Sequence, residues 1–198
     1  MDLLKRYLEK GGDNRGAIAS LASLDHLSDV APVVAEAVIK ELIDQRRHLK
    51  LIASENHCSL AVQQAMGNWL TDKYSEGFIG HRFYAGCENV DTVEAKAVEL
   101  LKKLFGCDHA YVQPHSGADA NLVAFLAILM YRVQDPEIVK LGKKGVNALT
   151  KDEHEKIRQL MVNQKIMGLA LDCGGHLTHG YPLNISSKIF KAESYRVD

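Results

Sequence analysis

Between Lys73 and Glu88 the chain reads KYSEGFIGHRFYAGCE. Tyr74, Glu76, His81, Arg82 and Tyr84 stand there among Gly77, Gly80 and Gly86, with neither a helical period nor the alternation of a strand. Such a run cannot build a core, so its polar and aromatic groups belong in a loop that does chemistry. A carboxyl held among Tyr74, Phe78 and Tyr84 is expected to be partly desolvated, which suits Glu76 to exchange protons near neutrality. A solvated loop glutamate is the other reading of the same residue.

Three further segments carry chemistry-bearing residues. In VQPHSGADAN, residues 112–121, a short extended stretch runs into a helix start at Ser116-Gly117-Ala118. Backbone N–H groups and the positive end of a helix dipole then converge on one point, which suits a phosphate, with Ser116 adding a hydroxyl. An ordinary capped helix is the plainer alternative. In GGHLTHG, residues 174–180, His176 follows an apolar strand and so sits where α/β proteins place ligands. His176 and His179 have H-x-x-H spacing, which could hold a metal, but no third ligand stands nearby. LIASEN, residues 51–56, offers Ser54, Glu55 and Asn56, residue types equally at home in a helix-end turn.

The elements that must position these groups can be read around them. Residues 1–31 hold a short amphipathic stretch and a small-residue linker. From Pro32 a helix is expected, with Val34, Val38, Leu42, Arg46 and Leu49 on one stripe. Ser59 can cap a helix that buries Val62, Met66 and Trp69. Asp91 and Glu94 have the spacing of a capping pair that opens a helix ending at Gly106. Residues 110–113 are a strand candidate, and 117–133 form a helix apolar almost all round, hence expected to be buried. Residues 134–150 read as loop, Thr150 and Glu153 as a capping box, 166–171 as a strand and 187–197 as extended chain. Helices alternating with short apolar strands predict an α/β fold with parallel pairing.

In their order and wording the four segments resemble serine hydroxymethyltransferase (glycine hydroxymethyltransferase). The resemblance implies an α/β architecture of PLP-dependent transferase fold type I, aspartate aminotransferase-like: a partial large domain with a mixed sheet plus an N-terminal helical arm. It divides the chain into an extension (1–31), a helical arm with a dimer-crossing loop (32–90) and the first part of a large domain (91–198), interrupted by a surface insertion at 131–164. It implies pyridoxal 5′-phosphate (PLP) as cofactor, bound by Tyr74, Ser116, Gly117, Ala118 and His176, with the His176 ring stacked on the pyridine. Glu76 becomes the acid/base residue at the substrate, while Ser54 and Tyr84 take the substrate carboxylate. Phe83, Leu171, Gly175, His176 and Leu177 contact the folate. Three positions depart from the family pattern: Ala118 replaces a serine, Phe83 a tyrosine and Ile79 a proline.

The implied reaction interconverts serine and glycine with tetrahydrofolate as one-carbon carrier, in a homodimer or with a complementing C-terminal half. The family's Schiff-base lysine and pyridinium-pairing aspartate have no match in the sequence, so the chain by itself is expected to be inactive and to expose apolar surface. A non-catalytic subunit that binds a full-length relative is the alternative. Composition adds exclusions. With 24 Lys+Arg against 25 Asp+Glu the formal charge is −1, so no sequence-wide field points to nucleic acid or to an anionic membrane. The 4 cysteines show no C-x-x-C pair and read as free thiols, which with the unremarkable amino terminus predicts a cytoplasmic protein.

Overall fold

The computed structural model describes residues 2–197, which form two compact units that divide after Ala95. In the first unit, α1 (Leu3–Glu9), α2 (Arg15–Val30) and α3 (Pro32–Arg47) follow one another. Asp25 of α2 caps α1, its two carboxylate oxygens each accepting a backbone N–H, from Leu3 and Leu4, at 2.9 Å. The small-residue linker expected before Pro32 is thus a helix. Asn14 accepts from the Ala17 N–H to start it, and its alanines and leucines are strong helix formers that outweigh Gly16. Pro32 occupies the first turn of α3 as expected, because its missing N–H costs nothing there.

Ser59 caps α4 (Leu60–Met66) by accepting from the Val62 N–H. The residues this helix was expected to bury are nevertheless exposed, Trp69 at 92%. The glycine-rich segment forms a tight hairpin, β1 (Gly77–Phe78) against β2 (His81–Arg82). Helix α5 (Glu88–Phe105) runs across the boundary and stops at Gly106, whose φ of 61° is the left-handed conformation that ends helices.

In the second unit, Ser116 caps α6 (Gly117–Leu129), which passes through a π-helical turn, Met130–Gln134, into α7 (Asp135–Lys140). The expected loop at 134–150 is therefore partly helical, since Pro136 suits a first turn. The Thr150–Glu153 capping box forms in full and starts α8 (Lys151–Val162). Strand β3 (Lys165–Leu169) pairs in parallel with β4 (Lys191–Tyr195), with Lys165 opposite Lys191 and Leu169 opposite Tyr195. A short helix, α9 (Ser186–Ile189), precedes β4 where extended chain was expected. The strand expected at 110–113 does not form; extended backbone becomes a strand only when another edge takes its hydrogen bonds, and none is described beside it.

Helix α6 is apolar all round but not buried. Leu129 alone is enclosed, while Val123, Leu126 and Ile128 face outward. The second unit's small core gathers Leu129, Ile138, Ile157 and Ala170, so α8 is held by one buried face and the capping box.

Candidate functional site

Candidate site residues fall in both units, and each group is built by its own local chemistry. In the first, the hairpin is organised around Arg82. Its side chain, 5% exposed, donates from Nη1 to the Ser75 and Gly77 carbonyls at 2.8 Å, from Nε to Asp91 Oδ1 at 2.8 Å and from Nη2 to Glu94. The planar fork of a guanidinium is the one side chain able to meet two carbonyls and two carboxylates at once. Asp91 also accepts the Gly80 N–H at 3.0 Å. Asp91 and Glu94 therefore lie inside α5, which begins at Glu88, and serve Arg82; their spacing was that of a capping pair, but the cation recruited it.

Gly77 has φ 111°, and a Cβ there would stand 2.4 Å from the His81 carbonyl oxygen, so only glycine closes the hairpin. Below it, the buried Cys87 thiol faces the Tyr84 carbonyl at 3.3 Å, and Lys73 Nζ donates to the Ala85 carbonyl at 2.6 Å. The Tyr74 and Tyr84 rings meet edge to face at 5.1 Å. Glu76 accepts the Phe83 N–H through its backbone carbonyl, but its side chain is exposed. The expected partial desolvation of that carboxyl is absent within this chain, because Tyr74, Phe78 and Tyr84 are themselves solvent-facing and screen nothing. Phe83 is likewise exposed. Ser54 lies in a separate cleft of about 350 Å³ lined by Glu41, Gln45, Lys50 and His57.

The Gly80 N–H, and after it Arg82, hold the Asp91 carboxyl below its usual range. A carboxyl whose folded pKa is depressed contributes stability that is present above its unfolded value and is lost as pH falls through the folded one. Tyrosine fluorescence of the hairpin should therefore stay constant down to the ordinary carboxylate range, about pH 4, and change only below it; a transition near neutrality would contradict the ion-pair account.

In the second unit, Ser116 Oγ accepts the Asp119 N–H at 3.1 Å, and the Ser116 carbonyl accepts the Ala120 N–H. The N–H groups of Gly117 and Ala118, in the first turn of α6, have no intrahelical acceptor. A Cβ on Gly117 would meet nothing within 4 Å, so this helix start is open. His176 sits in the turn after β3 and borders a cleft of about 440 Å³ that also takes in Leu171, Asp172, His179, Tyr181 and Arg196. Gly175 lets the turn fold directly onto the strand end: a Cβ there would lie 1.8 Å from the Leu169 carbonyl oxygen. Leu177 is half exposed.

The turn and the helix are tied together. Asn121, about 7.5 Å along the axis from the Ser116 cap at 1.5 Å per residue, donates from Nδ2 to Thr178 Oγ1 at 2.7 Å, and Thr178 Oγ1 lies 2.8 Å from His176 Nδ1. Asn121 and Thr178 escaped the sequence reading. A signal existed, because Asn121 is the lone polar residue between Ala120 and Met130 and a polar group on an apolar helix needs a partner. No group of three or more His, Cys, Asp or Glu suited to a metal exists among the described residues.

A parallel strand pair with helices before and between its strands, and a cleft at the carboxyl end of β3, defines an α/β protein. The model of the serine hydroxymethyltransferase family matches residues 27–141. Curated relatives are serine hydroxymethyltransferases of Mycolicibacterium smegmatis, 57% identical over 88% of this chain and 36% of the relative, and of Treponema pallidum, 54% over 91% and 32%. That of Chlamydia pneumoniae is 50% identical over 100% of this chain and 41% of its own length. The chain belongs to the serine hydroxymethyltransferase family. Its α/β fold is accordingly PLP-dependent transferase fold type I, a partial large domain with an N-terminal helical arm. The chain spans 32% to 41% of the length of these relatives, matching their amino-terminal part.

Proposed function

We propose that the chain is the amino-terminal part of a PLP-dependent serine hydroxymethyltransferase, acting on serine, glycine and tetrahydrofolate in the cytoplasm. The observation that supports the reading is the Asn121–Thr178–His176 tie, which anchors the imidazole-bearing turn to α6, five residues beyond its Ser116 cap. These residues fit the cofactor. The Gly117 and Ala118 N–H groups and the Ser116 hydroxyl provide donors for a phosphate, and Gly117 leaves space for it. Ala118 adds no hydroxyl, so the anion relies on the backbone donors and the Ser116 hydroxyl. When bound, pyridoxal phosphate supplies an electron sink for charge developing on the substrate α-carbon.

The chain's own groups then have distinct tasks. The His176 ring offers its face to the cofactor, Leu171, Gly175 and Leu177 contact the folate, and Phe83 contacts it in the site that its hairpin serves. Tyr74 reaches the phosphate, while Tyr84 and Ser54 take the substrate carboxylate. Glu76 moves a proton at the substrate hydroxymethyl oxygen, in a site whose desolvating walls come from elsewhere in the assembly, since its own loop provides none. The hairpin serves the site of a partner subunit, in a homodimer or in a complex with a complementing C-terminal half. No helix among the described residues is long and apolar enough to cross a membrane.

Co-expression with the downstream portion of a family relative tests this. Serine-dependent formation of glycine, requiring both chains and tetrahydrofolate, is the expected result. Two chains that copurify without forming glycine would overturn it and leave a non-catalytic binding subunit.

A further inference from the structure

Hydrogen-bond polarity around His176 can be worked out atom by atom. The Thr178 backbone nitrogen lies 3.2 Å from His176 Nδ1. A backbone amide can only donate, so Nδ1 accepts and the ring proton resides on Nε2. Thr178 Oγ1 is 2.8 Å from the same nitrogen, so the hydroxyl also donates to it. Its proton being committed, Oγ1 accepts from Asn121 Nδ2 at 2.7 Å, which in turn fixes the orientation of the Asn121 amide. Thr178 is 5% exposed, so a mismatched group there would be left unsatisfied away from water. A second set of contacts braces the turn: the His176 ring lies 5.5 Å from that of His179, which meets Phe125 at 6.2 Å, and Phe125 meets Phe190 at 5.5 Å. No protein acceptor lies within hydrogen-bonding range of His176 Nε2 among the described residues.

From this we infer that Asn121 and Thr178 are positioning residues: they form a one-way relay that holds His176 in the Nε2–H tautomer with its ring plane set. The inference deepens the reading of His176 as the ring facing the cofactor and rests on it for its use. A ligand in the cleft meets a π face that suits a flat ring and, in the plane of the imidazole, an N–H that suits a separate acceptor, and never the Nδ1 lone pair.

The tautomer can be observed directly by long-range 15N–1H correlation spectra of the histidine-labelled chain at mildly alkaline pH, with His176 assigned by its loss in His176→Gln. The expected wild-type pattern is a protonated Nε2 and a bare Nδ1. Asn121→Asp replaces the donor by an acceptor, draws the Thr178 hydroxyl proton to the carboxylate and should move the Nδ1 resonance toward that of free imidazole, while the Thr178 N–H keeps the ring proton on Nε2. In the Thr178→Val background, which already cuts the relay, Asn121→Asp should add no further shift, while Thr178→Ser should preserve the wild-type pattern. A wild-type ring protonated on Nδ1, or an Asn121→Asp spectrum that superimposes on the wild type, overturns the relay. Should Asn121→Asp fail to fold, the Thr178→Val and Thr178→Ser pair decides: the Nδ1 resonance should move toward that of free imidazole in the first only, and identical shifts in both overturn the relay. Pyridoxine 5′-phosphate added to the same sample separates the two claims, because a correct tautomer with no binding leaves the relay standing and removes the cofactor reading.

Discussion

Replacing Arg82 by methionine is expected to open the glycine-rich hairpin, with the loop 73–88 cleaved by a nonspecific protease roughly tenfold faster or more, since hydrogen bonds to charged groups are among the costliest to lose. The substitution keeps an apolar stem but removes all four hydrogen bonds that converge on the guanidinium. It also leaves Asp91 and Glu94, both mostly shielded from solvent, as neighbouring carboxylates with no cation between them. Breaking a shielded ion pair by deleting one partner costs far more than the pair itself contributes, because the remaining charge stays desolvated. Two further variants sharpen the expectation. Arg82→Lys should fall between wild type and Arg82→Met, since one ammonium cannot span two carbonyls and two carboxylates. Adding Asp91→Asn and Glu94→Gln to Arg82→Met should recover part of the protection. Wild-type cleavage kinetics for Arg82→Met would show that the hairpin is held by something else.

Gly175→Ala should be the most disruptive single methyl in the second unit. Its Cβ would sit 1.8 Å from the Leu169 carbonyl oxygen, 2.6 Å from the Leu169 carbonyl carbon and 2.9 Å from the Ala170 oxygen, all of them backbone atoms that no rotamer change can move. The turn must therefore lift from the end of β3, carrying His176 and Thr178 away from Asn121. Overpacking of this kind costs about 3 kcal/mol or more, and on a unit of this size the melting temperature should fall on the order of 10 °C. Gly145→Ala is the control, because its backbone is extended (φ 169°) and its Cβ would meet nothing within 4 Å. Equal melting temperatures for the two variants would contradict the close approach.

What could be read from the sequence was what local chemistry decides. The Thr150–Glu153 box, the Ser59 cap, Pro32 at a helix start and Gly106 at a helix end each depend on residues within a turn of one another, and each is present. What failed depends on distant partners or on their lack. Asp91 and Glu94 had the spacing of a cap, yet an arginine nine residues upstream of Asp91 claimed them. Residues 110–113 had strand character but no neighbouring edge, and the apolar stripe of α6 implied a burial that the described residues do not supply. At the site, His176 stood out by its place after an apolar strand. Asn121 and Thr178 did not, because the contact joining them spans 57 residues.

The central claim is that the α6 start and the His176 ring form two sides of one phosphate-and-ring cradle. Pyridoxine 5′-phosphate tests it most directly: it carries the phosphate and the pyridine ring but no aldehyde, so it cannot label surface lysines. In a 15N titration the account predicts saturable shifts of the Gly117 and Ala118 amides together with the His176 ring, while the start of α8, whose first turn carries the Asp152 and Glu153 carboxylates and so repels an anion, stays silent. Shifts that miss the α6 start, or that move it without His176, would contradict it.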